Sequence, residues 1–433
     1  MSETARPHDV MGEAHALALD AADPLRRYRE RFHVPTDTVY LDGNSLGLLS
    51  IDAERAVLAA LESWKVKGIA GWLDADPLWF TLGEDLGARM AALVGAAPES
   101  VIVTGTTTVN LHQMIGTFYP PDGGRRKIVA TALDFPSDVY AMQSQIRTRG
   151  GEPDLDLVLV PSRDGRTIDE DDLIAAMTDE VALAMLPSVL YRSGQLFDIP
   201  RLTAAAHAAG VLIGFDCAHS AGALPHAFDD WDIDFAIWCT YKYLNAGPGA
   251  VGALYVNPRH SGAAPALAGW WGYRKERQFD MVHEWEGAPN AGAFQISTIP
   301  LLSTAALHGS LAIFEEAGIA AIRAKSVAQT DYLIALVEGM GLAAEPYGYR
   351  IGTPREHHRR GGHVAIEHDE GARIALALKE RGFVVDFRQP DVVRLAPIAL
   401  YTTYHEVWRA ALALREIIDT GAHLRVEAAS LVT

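Results

Sequence analysis

The chain has 433 residues, of which 49% are hydrophobic and 21% charged, and it carries a formal net charge of -18. That length exceeds the usual single domain, so one large unit and one smaller unit are expected around a sizeable core. An acidic surface repels nucleic-acid backbones and anionic membranes, which excludes both as main partners, and any anion the protein binds must be gripped locally.

The first residues include Glu3, Asp9 and Glu13 and lack the basic start and apolar run of a signal peptide; no stretch of about 18 apolar residues could span a bilayer, so a cytoplasmic protein is expected. Asp23-Pro24 reads as an N-cap with proline at the first helical position, and Leu25, Tyr28 and Phe32 continue at helical spacing up to Pro35. The turn-rich Asp42-Gly43-Asn44-Ser45 follows, and then a helix with Val57, Leu61 and Trp64 on one face. Short β-rich runs come next at 101–103, 127–130, 155–160, 181–186, 211–215 and 235–239, separated mostly by helical patterns. Runs apolar at nearly every position, such as Val211-Leu212-Ile213, need cover on both faces, which predicts an α/β fold with a mainly parallel sheet. Residues 250–256 are strand-like and fit an antiparallel edge or an insertion within that sheet. Two long helices near 301–316 and 319–338 open a smaller α+β unit, with strands near 363–367, 383–386 and 392–395 and a helix near 371–380. The expected division is 1–45 as an N-terminal segment packing with the small domain, 46–300 as the large domain and 301–433 as the small one. Cys217 and Cys239, both in apolar segments, read as buried small hydrophobes rather than a disulfide framework.

Three motifs carry chemistry when taken together. Thr104-Gly105-Thr106-Thr107-Thr108 joins a strand to a helix, placing free N–H groups and the positive helix end where an anion would sit; alone, it is equally a Thr-capped helix. Asp216 and His219 emerge at the carboxyl end of a buried strand, the edge where ligands of open α/β sheets bind, although an acidic surface turn reads the same way. The next apolar strand delivers Tyr241-Lys242-Tyr243, and a lysine there would be partly desolvated and suited to imine chemistry. A phosphate cup, an aspartate and a lysine in this order resemble fold-type-I pyridoxal-phosphate (PLP) enzymes. The run Gly247 to Gly252 fits the spacing of a dinucleotide fingerprint, but a strand-like segment follows it instead of a helix, and no acid appears until Glu276. The histidine-rich 356–363 segment reads as a solvated loop, and no metal is expected. Arg394 interrupts an apolar strand, as either a carboxylate clamp or a structural ion-pair residue.

Longer blocks narrow the resemblance. Leu41-Asp42-Gly43-Asn44-Ser45-Leu46-Gly47, Thr108-Val109-Asn110-Leu111-His112, Phe135-Pro136-Ser137-Asp138, Gly214 to His219 and Trp238 to Gly247, in this order, resemble the kynureninase family from about Tyr40 to Tyr401. The resemblance implies PLP-dependent hydrolysis of kynurenine to anthranilate and alanine, in tryptophan degradation or NAD biosynthesis. It implies Lys242 as the imine lysine, Tyr241 as a phosphate contact and candidate acid, and Asp216 as the partner of the pyridine nitrogen, with His219 near the ring oxygen. Thr107, Thr108 and Ser137 would belong to the phosphate cup, Asp138 would support the cofactor and Phe135 would stack on its ring. Arg394, with Asn44 and Ser45, would bind substrate. Trp270 and Thr298 match positions that reach the site from a neighbouring subunit, which implies a homodimer with shared sites. Trp72, core by default like Trp79 and Trp271, borders the aryl pocket in this family and favours kynurenine over 3-hydroxykynurenine.

Two positions depart from the family pattern. Pro187-Ser188 stands where many relatives carry a small hydroxyl residue, leaving the cofactor contact there unassigned, and Thr107 replaces an apolar residue of some relatives. The rival readings are another class V PLP enzyme, either a desulfurase or an aminotransferase, and a non-catalytic PLP-binding regulator. A desulfurase needs a late mobile cysteine, and no cysteine follows Cys239; a regulator is usually fused to a basic DNA-binding unit, and none is evident.

Overall fold

The computed structural model describes residues 11–119 and 124–426; Glu3 and Asp9 lie outside the described residues. A short parallel pair joins β1 (Val39–Tyr40) to β11 (Phe383–Val384). The main sheet has seven strands: β2 (Val101–Val103), β3 (Lys127–Thr131), β4 (Leu157–Val160), β5 (Val181–Pro187), β6 (Leu212–Asp216), β7 (Phe235–Cys239) and β8 (Gly252–Val256). Their spatial order is β2-β8-β7-β6-β5-β3-β4, with β3 to β7 mutually parallel and β8 antiparallel to both of its neighbours. The strand-like 250–256 run is therefore an insertion inside the sheet, and β2 forms the edge. Helices cover both faces, which is why β5, β7 and β8 are buried along their whole length. This is the α/β, fold-type-I architecture expected from the alternation.

A smaller antiparallel sheet, in the order β12-β13-β10-β9, is built from β9 (Arg350–Ile351), β10 (Val364–Glu367), β12 (Asp386–Arg388) and β13 (Val392–Leu395). Its apolar face packs with the helices Gly371–Glu380 and Tyr404–Asp419, the second closed by a reciprocal Thr403–Glu406 capping box. Ala16, Val39 and Leu41 join this second core, whereas Leu25, Tyr28, Phe32 and the Leu301–Ala317 helix pack into the core of the large sheet.

Local structure departs from expectation at four places, each with a physical cause. The helix expected after Asp23 is a 3-10 segment, Arg26–Arg31, preceded by a true helix at Glu13–Ala22. Asp23 does accept the Leu25 N–H at 2.9 Å, but its carboxylate is also held by Lys325 at 2.7 Å, which fixes the chain in a tighter turn. The expected 155–160 strand begins only at Leu157, because Pro153–Asp156 forms one helical turn tied down by Arg126 and Asp156. The expected 383–386 strand splits between two sheets, so that Phe383 faces one core edge while Asp386 enters the small sheet. The Ile51–Lys67 helix packs through Ala53 against Gly309, but further along it Leu58, Leu61, Trp64 and Val66 are exposed.

Gly214 of β6 lies opposite Phe235 of β7. A Cβ there would enter the Phe235 ring, directly across the ladder. Gly214→Ala is expected to destabilise the protein by about 1–3 kcal/mol through overpacking, read as a lowered thermal midpoint; an unchanged midpoint would show that the two strands have slack.

Candidate active site

The carboxyl ends of β5, β6 and β7 and the start of the Thr107–Phe118 helix converge on one cavity, at the sheet edge where open α/β folds bind ligands. Its walls include Thr107, Thr108, Phe135, Ser137, Asp138, Asp216, His219, Tyr241 and Lys242, nine of the residues singled out from the sequence. Leu133, Pro187, Val189, Tyr191 and Ala218 complete the lining.

No side chain caps the Thr107–Phe118 helix, so its first-turn N–H groups keep their capacity for an anion. Gly105, at φ +57°, makes the turn into it. Hydroxyls of Thr108 and Ser137 meet at 2.9 Å on the same side. The Phe135 ring is 44% exposed although it lines the cavity, and it stands edge-on to Tyr191 with centroids 5.3 Å apart, leaving an aromatic face for a planar ligand.

Opposite lies a buried titratable cluster. Lys242 Nζ is 3.1 Å from His219 Nε2. Burial first, then the positive charges of Lys242 and Arg394, hold the His219 imidazole well below its ordinary range, so the ring is neutral. Asp138 is raised well above the usual carboxylate range by burial and by the facing Asp216 and Asp134; it carries the proton of the Asp138–Asp216 pair. Asp216 is raised by burial and countered by Lys242 and by the Ala218 N–H, which it accepts at 2.8 Å. Burial also keeps the Tyr241 phenol protonated by pushing its pKa up. The donors and acceptors match a phosphorylated pyridine aldehyde: an amine, a carboxylate for a ring nitrogen, an aromatic wall and an uncapped helix start.

The Asp42–Gly47 turn packs against the backbone of Tyr241 and Lys242, and neither Asn44 nor Ser45 lines the cavity. Gly47 donates to the Tyr241 carbonyl at 2.8 Å, and a side chain at 47 would strike the Lys242 carbonyl and Asn245. Asn44 is fully buried, and neither its Oδ1 nor its Nδ2 finds a partner. Ser45 accepts from Arg394 at 3.0 Å, and Arg394 also donates to the Tyr191 carbonyl at 2.7 Å, so it sits behind the cavity wall rather than in it. Trp72, Trp270 and Thr298 do not line the cavity of this chain. Trp72 meets Trp79 edge-on and Trp271 at a tilt, Trp270 is 47% exposed, and Thr298 is exposed.

At the Pro187-Ser188 departure, Pro187 and Val189 line the cavity while Ser188 turns away. Its hydroxyl pins the Asp216 carbonyl at 2.9 Å and meets Ser220 at 2.7 Å. Within the histidine-rich segment, His357 pairs with Asp331 at 2.7 Å, whereas His363 is buried 5.9 Å from the His219 ring. Sequence reasoning missed His363, Tyr191, Asp134 and Asp386. Asp386 had a readable signal, an acid inside an apolar strand eight positions before the arginine it contacts.

His363 yields a pH-dependent expectation. Burial and the nearby Arg394 depress its pKa from 6.5 to about 3, so the folded chain binds fewer protons than the unfolded one as pH falls through 6.5. Its contribution is constant above that pH, and stability is lost progressively below it, toward the folded value. Between about pH 7 and pH 5 the wild type should lose about 2 kcal/mol more than His363→Gln, measured by urea unfolding; parallel losses would place the ring in a solvated setting.

Comparison with known proteins agrees with this geometry. The family description "Kynureninase C-terminal domain" matches residues 322–414. Kynureninase of Geobacillus thermodenitrificans is 54% identical over 93% of this chain and 94% of its own length, and that of Bacillus anthracis 54% identical over 95% and 96%. Among solved structures, a cysteine desulfurase from Thermococcus onnurineus superposes with a TM-score of 0.76 at 17% identity, covering 97% of this chain and all of its own. A mutant of the lyase C-DES, with glycine covalently linked to the PLP cofactor, gives 0.75 at 19%, covering 89% and 98%; at such identities these two report the fold alone. Identity above half over nearly the full length of both chains settles the relationship: this chain belongs to the kynureninase family.

Proposed function

We infer that the chain is a PLP-dependent hydrolase that cleaves the carbon–carbon bond of L-kynurenine, releasing anthranilate and L-alanine in tryptophan breakdown. The observation that carries this reading is the convergence of Lys242, Asp216 and an uncapped helix start on one cavity, in a chain 54% identical to kynureninases over 93% of its length. When bound, PLP supplies an aldehyde to capture the substrate amine and a pyridinium ring to absorb electrons.

The residues of this chain would divide the remaining work. Thr107, Thr108, Ser137 and Tyr241 hold the phosphate, Phe135 covers the ring face, and Asp216, backed by protonated Asp138, keeps the ring nitrogen protonated. Neutral His219 sits at the ring oxygen and takes a hydrogen bond from Lys242. Arg394, with Asn44 and Ser45, fixes the substrate carboxylate, and the Lys242 amine removes the α-proton and returns it. Water would add to the side-chain carbonyl, whose carbon leaves as the anthranilate carboxylate when the carbon–carbon bond breaks, and the Tyr241 hydroxyl, kept protonated by burial, would donate its proton to the β-carbon that remains on alanine. A desulfurase reading fares worse: both cysteines are fully buried, and burial pushes the Cys217 thiol up to about 12.

The active assembly on this reading is a cytoplasmic homodimer in which Trp270 and Thr298 reach the partner's cavity, while Trp72 borders the aryl pocket and favours kynurenine over its 3-hydroxy form. Two features support it. None of these three side chains lines the cavity that holds Lys242, and Leu58, Leu61, Trp64, Val66, Ile69 and Leu73 are large apolar side chains left exposed between residues 58 and 73. Residues 46–300 act as the cofactor domain, joined by the Leu301–Ala317 helix and by Leu25, Tyr28 and Phe32, which pack into its core; the rest of 301–433 acts as the small domain that brings Arg394, and Ala16, Val39 and Leu41 tie the N-terminal segment to it. A product supplying NAD biosynthesis would come from the 3-hydroxy substrate.

Anthranilate fluorescence is expected on mixing the holoenzyme with kynurenine, and its absence would overturn the assignment. Lys242→Ala should abolish turnover and the absorbance of lysine-bound cofactor, with at least a 1,000-fold loss on the order expected for a nucleophile. Trp64→Glu should convert dimer to monomer in light scattering, with loss of activity that follows dissociation.

A further inference from the structure

Strands β12 and β13 lie antiparallel with Asp386 directly opposite Arg394, and Arg388 projects from the same face as Asp386 two residues on. The three charges meet at one atom. Oδ2 of Asp386 is 2.5 Å from Nη2 of Arg394 and 2.5 Å from Nη2 of Arg388, and it also receives the Ser45 hydroxyl at 3.0 Å; its Oδ1 is buried and accepts nothing. The Asp386 side chain is fully buried and that of Arg394 is 2% exposed, whereas Arg388 is 22% exposed and reaches water.

The guanidinium of Arg394 is therefore occupied. Nη1 serves the Tyr191 carbonyl, Nη2 serves Ser45 and Asp386, and Nε is buried without an acceptor. A ligand carboxylate binds such a group in bidentate fashion, and here it must compete with a protein carboxylate of the same chemistry. On the other side of β13, Arg394 faces Ala365, which brings no charge. Two arginines and one aspartate leave one net positive charge in this trio, only partly offset by the neighbouring Asp42, and a ligand carboxylate adds to its compensation where a neutral amide does not. Asp42, raised to about 6 by burial and by the charge of Asp386, borders the same trio.

We propose that Asp386 is a built-in stand-in for the substrate carboxylate: it occupies Arg394 in the empty site and passes to Arg388 when a carboxylate-bearing ligand arrives. Arg388 thereby sets ligand affinity without touching the ligand. The proposal rests on Arg394 being the carboxylate site of the reading above. Arg388 suits the exchange because it already holds the same oxygen and stays in reach of water, so carrying Asp386 alone costs it little desolvation.

The test measures L-alanine and L-alaninamide binding to the holoenzyme by calorimetry, beside kynurenine kinetics. Arg388→Gln strands Asp386 on Arg394 and is expected to weaken alanine binding and raise the kynurenine KM by about tenfold, equivalent to 1.4 kcal/mol, with kcat little changed and alaninamide unaffected. Asp386→Asn removes the competitor and should tighten alanine while leaving alaninamide alone. An Arg388→Gln protein with unaltered alanine affinity, an equal loss for both ligands, or weaker alanine binding in Asp386→Asn would each overturn the proposal. Should Asp386→Asn fail to fold, Arg388→Gln and the alanine–alaninamide contrast decide alone. Absence of kynurenine turnover in the wild type would sink the functional reading, whereas normal turnover without the opposed shifts sinks only the stand-in.

Discussion

Three carboxyl groups, on Asp134, Asp138 and Asp216, are buried together; burial raises all three, the charge of Asp216 raises the other two further, and the positive charge of Lys242 bears on Asp138 and Asp216. Burying acids without a compensating charge or hydrogen bonds is costly, so neighbouring features read as responses to that demand. Thr131 gives Asp134 a hydroxyl and a backbone N–H, Ala218 gives Asp216 an N–H, and Asp138 keeps its proton. The sheet order serves the same end, because placing β6 beside β7 brings an aspartate and a lysine from successive strands to one edge. A protonated pyridine nitrogen paired with Asp216 would complete the balance.

Much of this was legible in the sequence because it depends on local rules. Strands apolar at every position announce a covered parallel sheet, and the polar residues just past their carboxyl ends announce the site; Asp216, His219 and Lys242 were found that way. The limits of β2 and β7 and of the Gly371–Glu380 helix are set by apolar runs bounded by turn residues. Departures arose where a distant partner outweighed the local signal. Asp23 looks like an ordinary cap until Lys325, some 300 positions away, claims its carboxylate. Val57, Leu61 and Trp64 keep helical spacing, yet much of that side of the helix is left open, because periodicity says that a face is apolar and not which surface covers it.

Roles within the site divide along the same line. Lys242 and Asp216 are marked by position, but His363 reaches His219 from a loop of the small domain that reads locally as a solvated histidine run. Ser188 shows the reverse case. A hydroxyl beside the cavity invites a cofactor role, whereas its hydrogen bonds go to the backbone of Asp216 and to Ser220, making it a pin for the strand that carries the acid.

Arg394 brings both kinds of reasoning to one residue. An arginine inside Val392–Leu395 must either meet a permanent counter-ion or await one, and the sequence leaves those alternatives open. The geometry shows that they are not exclusive, since Asp386 is present and is also held by a second arginine nearer water. A fully committed buried pair would resist any ligand, while an arginine with no partner would destabilise the empty enzyme. Sharing one aspartate oxygen between two guanidiniums lies between these limits: the small domain keeps its charge compensated in the empty site, and Arg394 remains available to a substrate at the cost of a change of partner.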